Sequence, residues 1–129
     1  MSKFVLDEIN NVNGTIRFYR LIENGICYWN EFCLSLEAEG MYYDQIFSIT
    51  AQMNDKANLK SLPETKHKPF NTDVDGISGF EFRTRDLRAY GIKDEAGNVI
   101  IFAGKKANQK KDEVRFRSIV KRYIASKNE

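Results

Sequence analysis

The 129-residue chain reads as α+β, in the order β-α-α-β-β-β-α: an antiparallel sheet of about four strands, two N-terminal helices on one face, and a helix at the C-terminus. Three observations lead to that class. Apolar residues recur at helical spacing between Trp29 and Met53, the period switches to alternation from Gly79 onward, and helical spacing returns from Phe116 to Ile124. A length of 129 residues lies within the usual range for one domain, so the whole of residues 1–129 is assigned to a single core.

The first strand is expected at residues 16–22, where Ile16, Phe18, Tyr19, Leu21 and Ile22 follow the turn-forming pair Asn13 and Gly14 and precede Asn24 and Gly25. Next, Trp29, Phe32, Cys33 and Leu36 fall at i, i+3, i+4 and i+7, a single helical stripe, with Gly40 where a helix would stop. A second helix is expected over residues 41–57. There Tyr42, Ile46, Ile49 and Met53 share one face, and Asp44, Gln45, Gln52 and Asp55 take the other. Residues 59–78 contain both prolines, Pro63 and Pro69, with Asn71, Asp73, Asp75 and Gly76, and read as a long irregular connection.

Three strands in meander order follow. Phe80 and Phe82 alternate with Glu81 and Arg83, Leu87 and Ala89 alternate with Arg88 and Tyr90, and residues 99–103 form a continuous apolar run. Residues 94–98, which include Gly97 and Asn98, suit a hairpin between the last two strands. Phe116, Ile119, Val120, Tyr123 and Ile124 then define the apolar stripe of a C-terminal helix, with Arg115, Arg117, Lys121 and Arg122 on its other face.

With 42% hydrophobic and 12% aromatic residues, the chain has the apolar content to fold. Its N-terminus reaches charged Asp7 and Glu8 before a signal-peptide core forms, and no apolar run is long enough to span a bilayer, so a cytoplasmic location without membrane association is expected. Cys27 and Cys33, six apart and without metal-ligand spacing, read as buried free thiols. No phosphate-binding glycine loop, dinucleotide fingerprint, zinc motif or nucleophile elbow is present, and no cofactor or metal is expected. The net charge of +2 conceals an asymmetry: residues 1–82 carry −5 and residues 83–129 carry +7. A basic end on an otherwise acidic chain is the electrostatic footprint of a polyanion partner.

The run Gly79-Phe-Glu-Phe-Arg-Thr-Arg-Asp-Leu-Arg-Ala-Tyr-Gly-Ile92, followed by Asn98-Val-Ile-Ile-Phe-Ala-Gly-Lys-Lys106 and a helix holding Val120-Lys-Arg122, resembles the RelE/HigB family of toxins from toxin-antitoxin systems. In that family a Glu-hydrophobic-Arg strand leads to an Arg-x-x-Tyr-type strand and an apolar strand ending in a basic pair. The resemblance spans roughly residues 15–126, since Ile16 to Tyr19, the Trp29 stripe and Leu62-Pro63 also occupy comparable places. It implies a ribosome-dependent, messenger-RNA-cleaving endoribonuclease held inactive by a cognate antitoxin.

Cleavage through a 2′-hydroxyl needs a proton acceptor, cations for the charge that builds on the phosphorane, and an acid for the leaving 5′-oxygen. By position the resemblance assigns Arg88 and Lys106 to the reacting phosphate and Arg83, Arg85 and Lys105 to RNA binding. Guanidinium suits the role because it is always charged and forks onto two phosphate oxygens. One departure stands out. Phe116 occupies the place of the RelE tyrosine on the last helix, and the only histidine, His67, lies in the proline-flanked connection. Tyr90, two residues after Arg88 on the same strand face, is therefore the candidate proton carrier, with Tyr123 assigned to the core. The competing reading is a non-catalytic protein of the RelE/ParE superfamily, either a ParE-like gyrase inhibitor or a degenerate interaction module. Strand parity and the charge asymmetry predict one basic concave surface made by Arg83, Arg85, Arg88, Lys105 and Lys106, opposite the N-terminal helices, and the basic end together with the resemblance implies an acidic or amphipathic partner segment that covers it or packs beside the C-terminal helix.

Overall fold

The computed structural model describes residues 2–128. Strand β1 (Phe4–Glu8) comes first and pairs antiparallel with β2 (Phe18–Glu23), whose chain turns through Asn24 and Gly25 into the two-residue β3 (Ile26–Cys27). Both turn residues have positive φ, 51° and 83°, the conformation that a tight hairpin requires and that asparagine and glycine tolerate. Helices α1 (Tyr28–Glu39) and α2 (Asp44–Ala57) follow, then β4 (His67–Asn71), β5 (Ser78–Arg83), β6 (Leu87–Lys93), β7 (Asn98–Lys105), a 3₁₀ turn over Lys106–Asn108, and α3 (Gln109–Lys127). Gly40, at φ 68°, ends α1 by donating its N–H to the Leu36 and Glu37 carbonyls.

The class is α+β, but the expected four-stranded antiparallel sheet is corrected in three ways. Seven strands form one mixed sheet in the order β1-β2-β7-β6-β5-β4, with β3 attached to β2, and strands precede the helices in the chain. β2 lies parallel to β7, because α1, α2 and the meander are threaded between them in sequence. The third correction concerns layering. Trp29 and Leu36 of α1 and Ile46, Ile49 and Met53 of α2 pack with Phe18, Phe80, Phe82, Leu87 and Ala89 on one face of the sheet. Phe116, Ile119, Val120 and Tyr123 of α3 pack with Leu21, Tyr90, Ile92, Val99 and Ile101 on the other. The face expected to stay open for RNA is therefore covered by the last helix.

Two strands lie where none was expected. β1 occupies the N-terminal stretch, and β4 runs through Pro69 in the turn-rich connection. Proline is tolerated there because β4 is an edge strand paired only with β5, leaving the imide nitrogen no ladder bond to lose. Cys27 is buried, Cys33 half-buried, and both are free.

Candidate functional site

The β5–β6 register sets Glu81 opposite Tyr90 and Arg83 opposite Arg88. Because Phe80, Phe82, Leu87 and Ala89 point toward α1 and α2, these four residues point toward α3. Their environment is interior. Arg88 is only 4% exposed, and its Nη1 donates to the carbonyls of Thr84 (2.6 Å) and Leu87 (2.8 Å), while its Nε lies 3.5 Å from Glu81 Oε1. Arg83 Nε is 2.8 Å from the same oxygen, with its side chain 26% exposed. Glu81 is fully buried; burial raises its pKa, and Arg83, Lys68 and Arg88 oppose the shift.

Tyr90 is also fully buried, its ring between Phe70 (centroids 5.3 Å apart) and Phe116 (5.6 Å). Burial holds its hydroxyl far above the usual phenol range, and Glu81, Glu113 and Asp112 push in the same direction. A phenol so placed keeps its proton, which does not suit a group that must exchange one with solvent. Phe116 lies wholly within the core, as its place on the α3 stripe implied, and so does Tyr123.

The other predicted residues scatter. β5 ends at Arg83, so Arg85 does not share that strand face; it is exposed in the β5–β6 turn and borders a cavity of about 540 Å³ with Ser48, Gln52 and Lys66 on the α2 side. Lys105 pairs in register with Leu87, which turns it toward the α1 face, where its Nζ meets Glu39 Oε2 at 2.7 Å. Lys106 is exposed in the 3₁₀ turn, and its backbone N–H donates to the Asp86 carbonyl at 2.7 Å, which ties the β7–α3 junction to the β5–β6 turn. The single surface expected from strand parity is thus divided: Arg83 and Arg88 lie under α3, Lys105 lies beside α1, and Arg85 and Lys106 lie at the sheet's end.

That end is the accessible part of the site. Lys106, Lys110 and Lys111 line a concavity of about 650 Å³ with Asn108, Gln109 and Glu113. Among the described residues, Arg85, Lys106, Lys110 and Lys111 have no ion-pair partner. Four such cations at one end of a sheet can take phosphate oxygens without first breaking an internal pair.

The turn that presents Arg85 is held by residues the sequence did not single out. Gln45 Oε1 accepts from Thr84 Oγ1 (2.6 Å) and from the Asp86 N–H (3.0 Å), and Gln45 Nε2 donates to Asp86 Oδ2 (2.8 Å). Gln45 had been placed on the outward face of α2; only its contact with a turn some forty positions away reveals its role. Asp112, buried in the first turn of α3, packs against Gly104, where any Cβ would collide with its carboxylate. The sequence signal for that contact is the glycine two residues before Lys106.

His67, expected in a loop, is half-buried on β4 and stacks on Phe80. Among the described residues no group of three or more His, Cys, Asp or Glu side chains is placed to hold a metal ion, and no helix is long and apolar enough to cross a membrane. Comparison of the chain with protein-family models, curated proteins and solved structures finds no match.

Proposed function

We propose that this chain is a RelE/HigB-like toxin that engages ribosome-bound messenger RNA in the cytoplasm and is neutralised by a cognate antitoxin. The observation that carries the reading is the group of unpaired cations Arg85, Lys106, Lys110 and Lys111 at the junction of the β5–β6 turn and the start of α3. Around it runs the ordered pattern of Glu81, Arg83, Arg88 and Lys106 on which the family resemblance rests. In this reading the rim binds the RNA backbone, Lys106 and the part-exposed Arg83 meet the reacting phosphate, and Arg88 acts from within. It braces the turn through Thr84 and holds the Glu81 carboxylate that orients Arg83.

The burial of Arg88 and Tyr90 favours a second reading, a non-catalytic binding protein of the RelE/ParE superfamily that uses the same rim. Expression of the chain alone, with mapping of messenger-RNA ends on ribosomes, separates the two. The nuclease reading expects growth arrest and new 5′ ends within translated codons, both lost in Lys106→Ala. Growth arrest without new ends supports the binding protein, and neither effect removes the toxin reading. If RNA binds the rim, affinity falls with added salt at a slope of about −0.7 per contacted single-strand phosphate, and a Lys110→Ala/Lys111→Ala variant flattens that slope by one to two contacts.

A further inference from the structure

At the opposite end of β6 from that rim, on the face shared with α2, a further cavity of about 420 Å³ is bordered by Ile16, Lys56, His67, Phe80, Lys93 and Asn98. Five elements build it, among them β5, which brings Phe80. His67 on β4 stands opposite Phe82 and lays its imidazole over Phe80, with ring centroids 5.7 Å apart and planes at 29°. The last turn of α2 brings Lys56, the end of β6 brings Lys93, and the start of β7 brings Asn98.

Charge in this cavity is one-sided. Among the described residues neither Lys56 nor Lys93 has an ion-pair partner. The one acid on the border, Asp94, is already committed: its carboxylate meets Lys127 Nζ at 2.5 Å and its side chain is only 7% exposed. His67 adds no positive charge at neutral pH, because burial, and after it Lys56 and Lys93, hold its pKa down to about 4. What remains is two free ammonium groups beside an uncharged aromatic wall whose accessible part is the half-buried His67 imidazole, backed by the core ring of Phe80 (2% exposed).

We propose that this cavity binds a phosphorylated planar ring of nucleoside-monophosphate size, with the phosphate between Lys56 and Lys93 and the ring against the His67 imidazole that Phe80 backs. Two unpaired lysines match a dianion better than a single carboxylate, since each then gains a charge-assisted bond. The aromatic wall supplies stacking of the kind that holds bases in sequence-tolerant sites. The volume lies in the range of small-molecule sites, roughly 300–1,000 Å³, so inorganic phosphate alone would leave the apolar wall uncovered. A free mononucleotide and the terminal nucleotide of an RNA strand present this same chemistry. The site stands independently of the toxin reading, because it uses none of the rim residues.

The test is a titration of the full chain with AMP, adenosine, inorganic phosphate and a 5′-phosphorylated ribonucleotide trimer, read on the His67 ring resonances by NMR. AMP is expected to shift them saturably and to bind on the order of tenfold more tightly than adenosine or phosphate. Saturation should raise the His67 pKa by about one unit or more, since a dianion offsets the two lysines. Lys56→Met and Lys93→Met should each weaken AMP binding by about tenfold, with the remaining backbone resonances unmoved. Saturation by AMP supports the free-nucleotide form of the site, and saturation by the trimer alone supports the strand-terminus form. Absence of saturation by either, or affinities unchanged in both lysine variants, overturns the proposal.

Discussion

Under α1 and α2 the sheet presents Phe18, Phe80, Phe82, Leu87 and Ala89, an apolar layer with few polar atoms to satisfy. Under α3 the same strands present Leu21, Ile92 and Val99 together with Glu81, Arg83, Arg88 and Tyr90. Apart from the part-exposed Arg83 both layers are closed to solvent, yet they depend on different physics. The first is held by burial of apolar area, which accepts substitutes of similar volume. The second buries charges that are tolerable only while every partner is in place, so its weakest point is the loss of one member rather than of one methyl group. Burial alone therefore says little about how a face responds to change.

The largest effect expected is on the charged layer. Arg88→Ala leaves the Glu81 carboxylate with one fewer cation and frees the Thr84 and Leu87 carbonyls, and should lower unfolding free energy by about 3–5 kcal/mol in chemical denaturation. Replacing both charges, as Glu81→Gln/Arg88→Met, should cost clearly less than Arg88→Ala alone. Equal costs would show that the arginine matters through packing and not through charge. In the apolar layer, Leu36→Ala should cost about 2–5 kcal/mol while Ile49→Val costs about 0.5–1.5 kcal/mol, a graded response to volume that the charged layer should not show.

The two layers also differ in how they answer to pH. On the α3 face, the folded-state pKa of Glu81 is raised, so the folded protein binds more protons and stability declines as pH rises from the ordinary carboxylate value toward that raised one. On the α2 face the sign reverses. The folded-state pKa of His67 is lowered from 6.5 to about 4, so the unfolded chain binds more protons in that window and stability falls as pH drops through it. Denaturation midpoints measured from pH 4 to 8 for Glu81→Gln and His67→Gln should each lose one of these opposed slopes. The smallest effect belongs to Lys105. Its pair with Glu39 lies at the surface, and Lys105→Ala should change stability by less than about 1 kcal/mol in chemical denaturation.

The helices were legible because periodicity is a local signal. Leu36, Ile46, Ile49 and Met53 were placed on apolar stripes and lie in one core, and the stripe from Phe116 to Tyr123 lies in the other. Alternation in Phe80, Glu81, Phe82 and Arg83 likewise identified two strand faces. It did not tell a polar face open to water from one closed by a helix, because both are written with the same residues. Edge strands were the least legible: β4 carries Pro69 amid turn formers, and β1 is five residues long and ends in the acids Asp7 and Glu8. Of the candidate site, Lys106 and Arg85 were singled out by the family resemblance, whereas no motif or resemblance pointed to Lys110 and Lys111.

By itself, then, the sequence determined the α+β class, the three apolar helix stripes, the meander, the uneven distribution of charge and the core positions of Phe116 and Tyr123. Tertiary structure decided which strands meet and which face α3 covers, and with them which cations are free. β2 pairs with β7 across some eighty residues of chain, and that pairing places α1 and α2 on one side of the sheet and α3 on the other. Hydrophobic period reports only which side of an element seeks burial. Whether Arg88 ends against water or against Glu81 depends on what packs over it, and that is settled by long-range contacts no local pattern encodes.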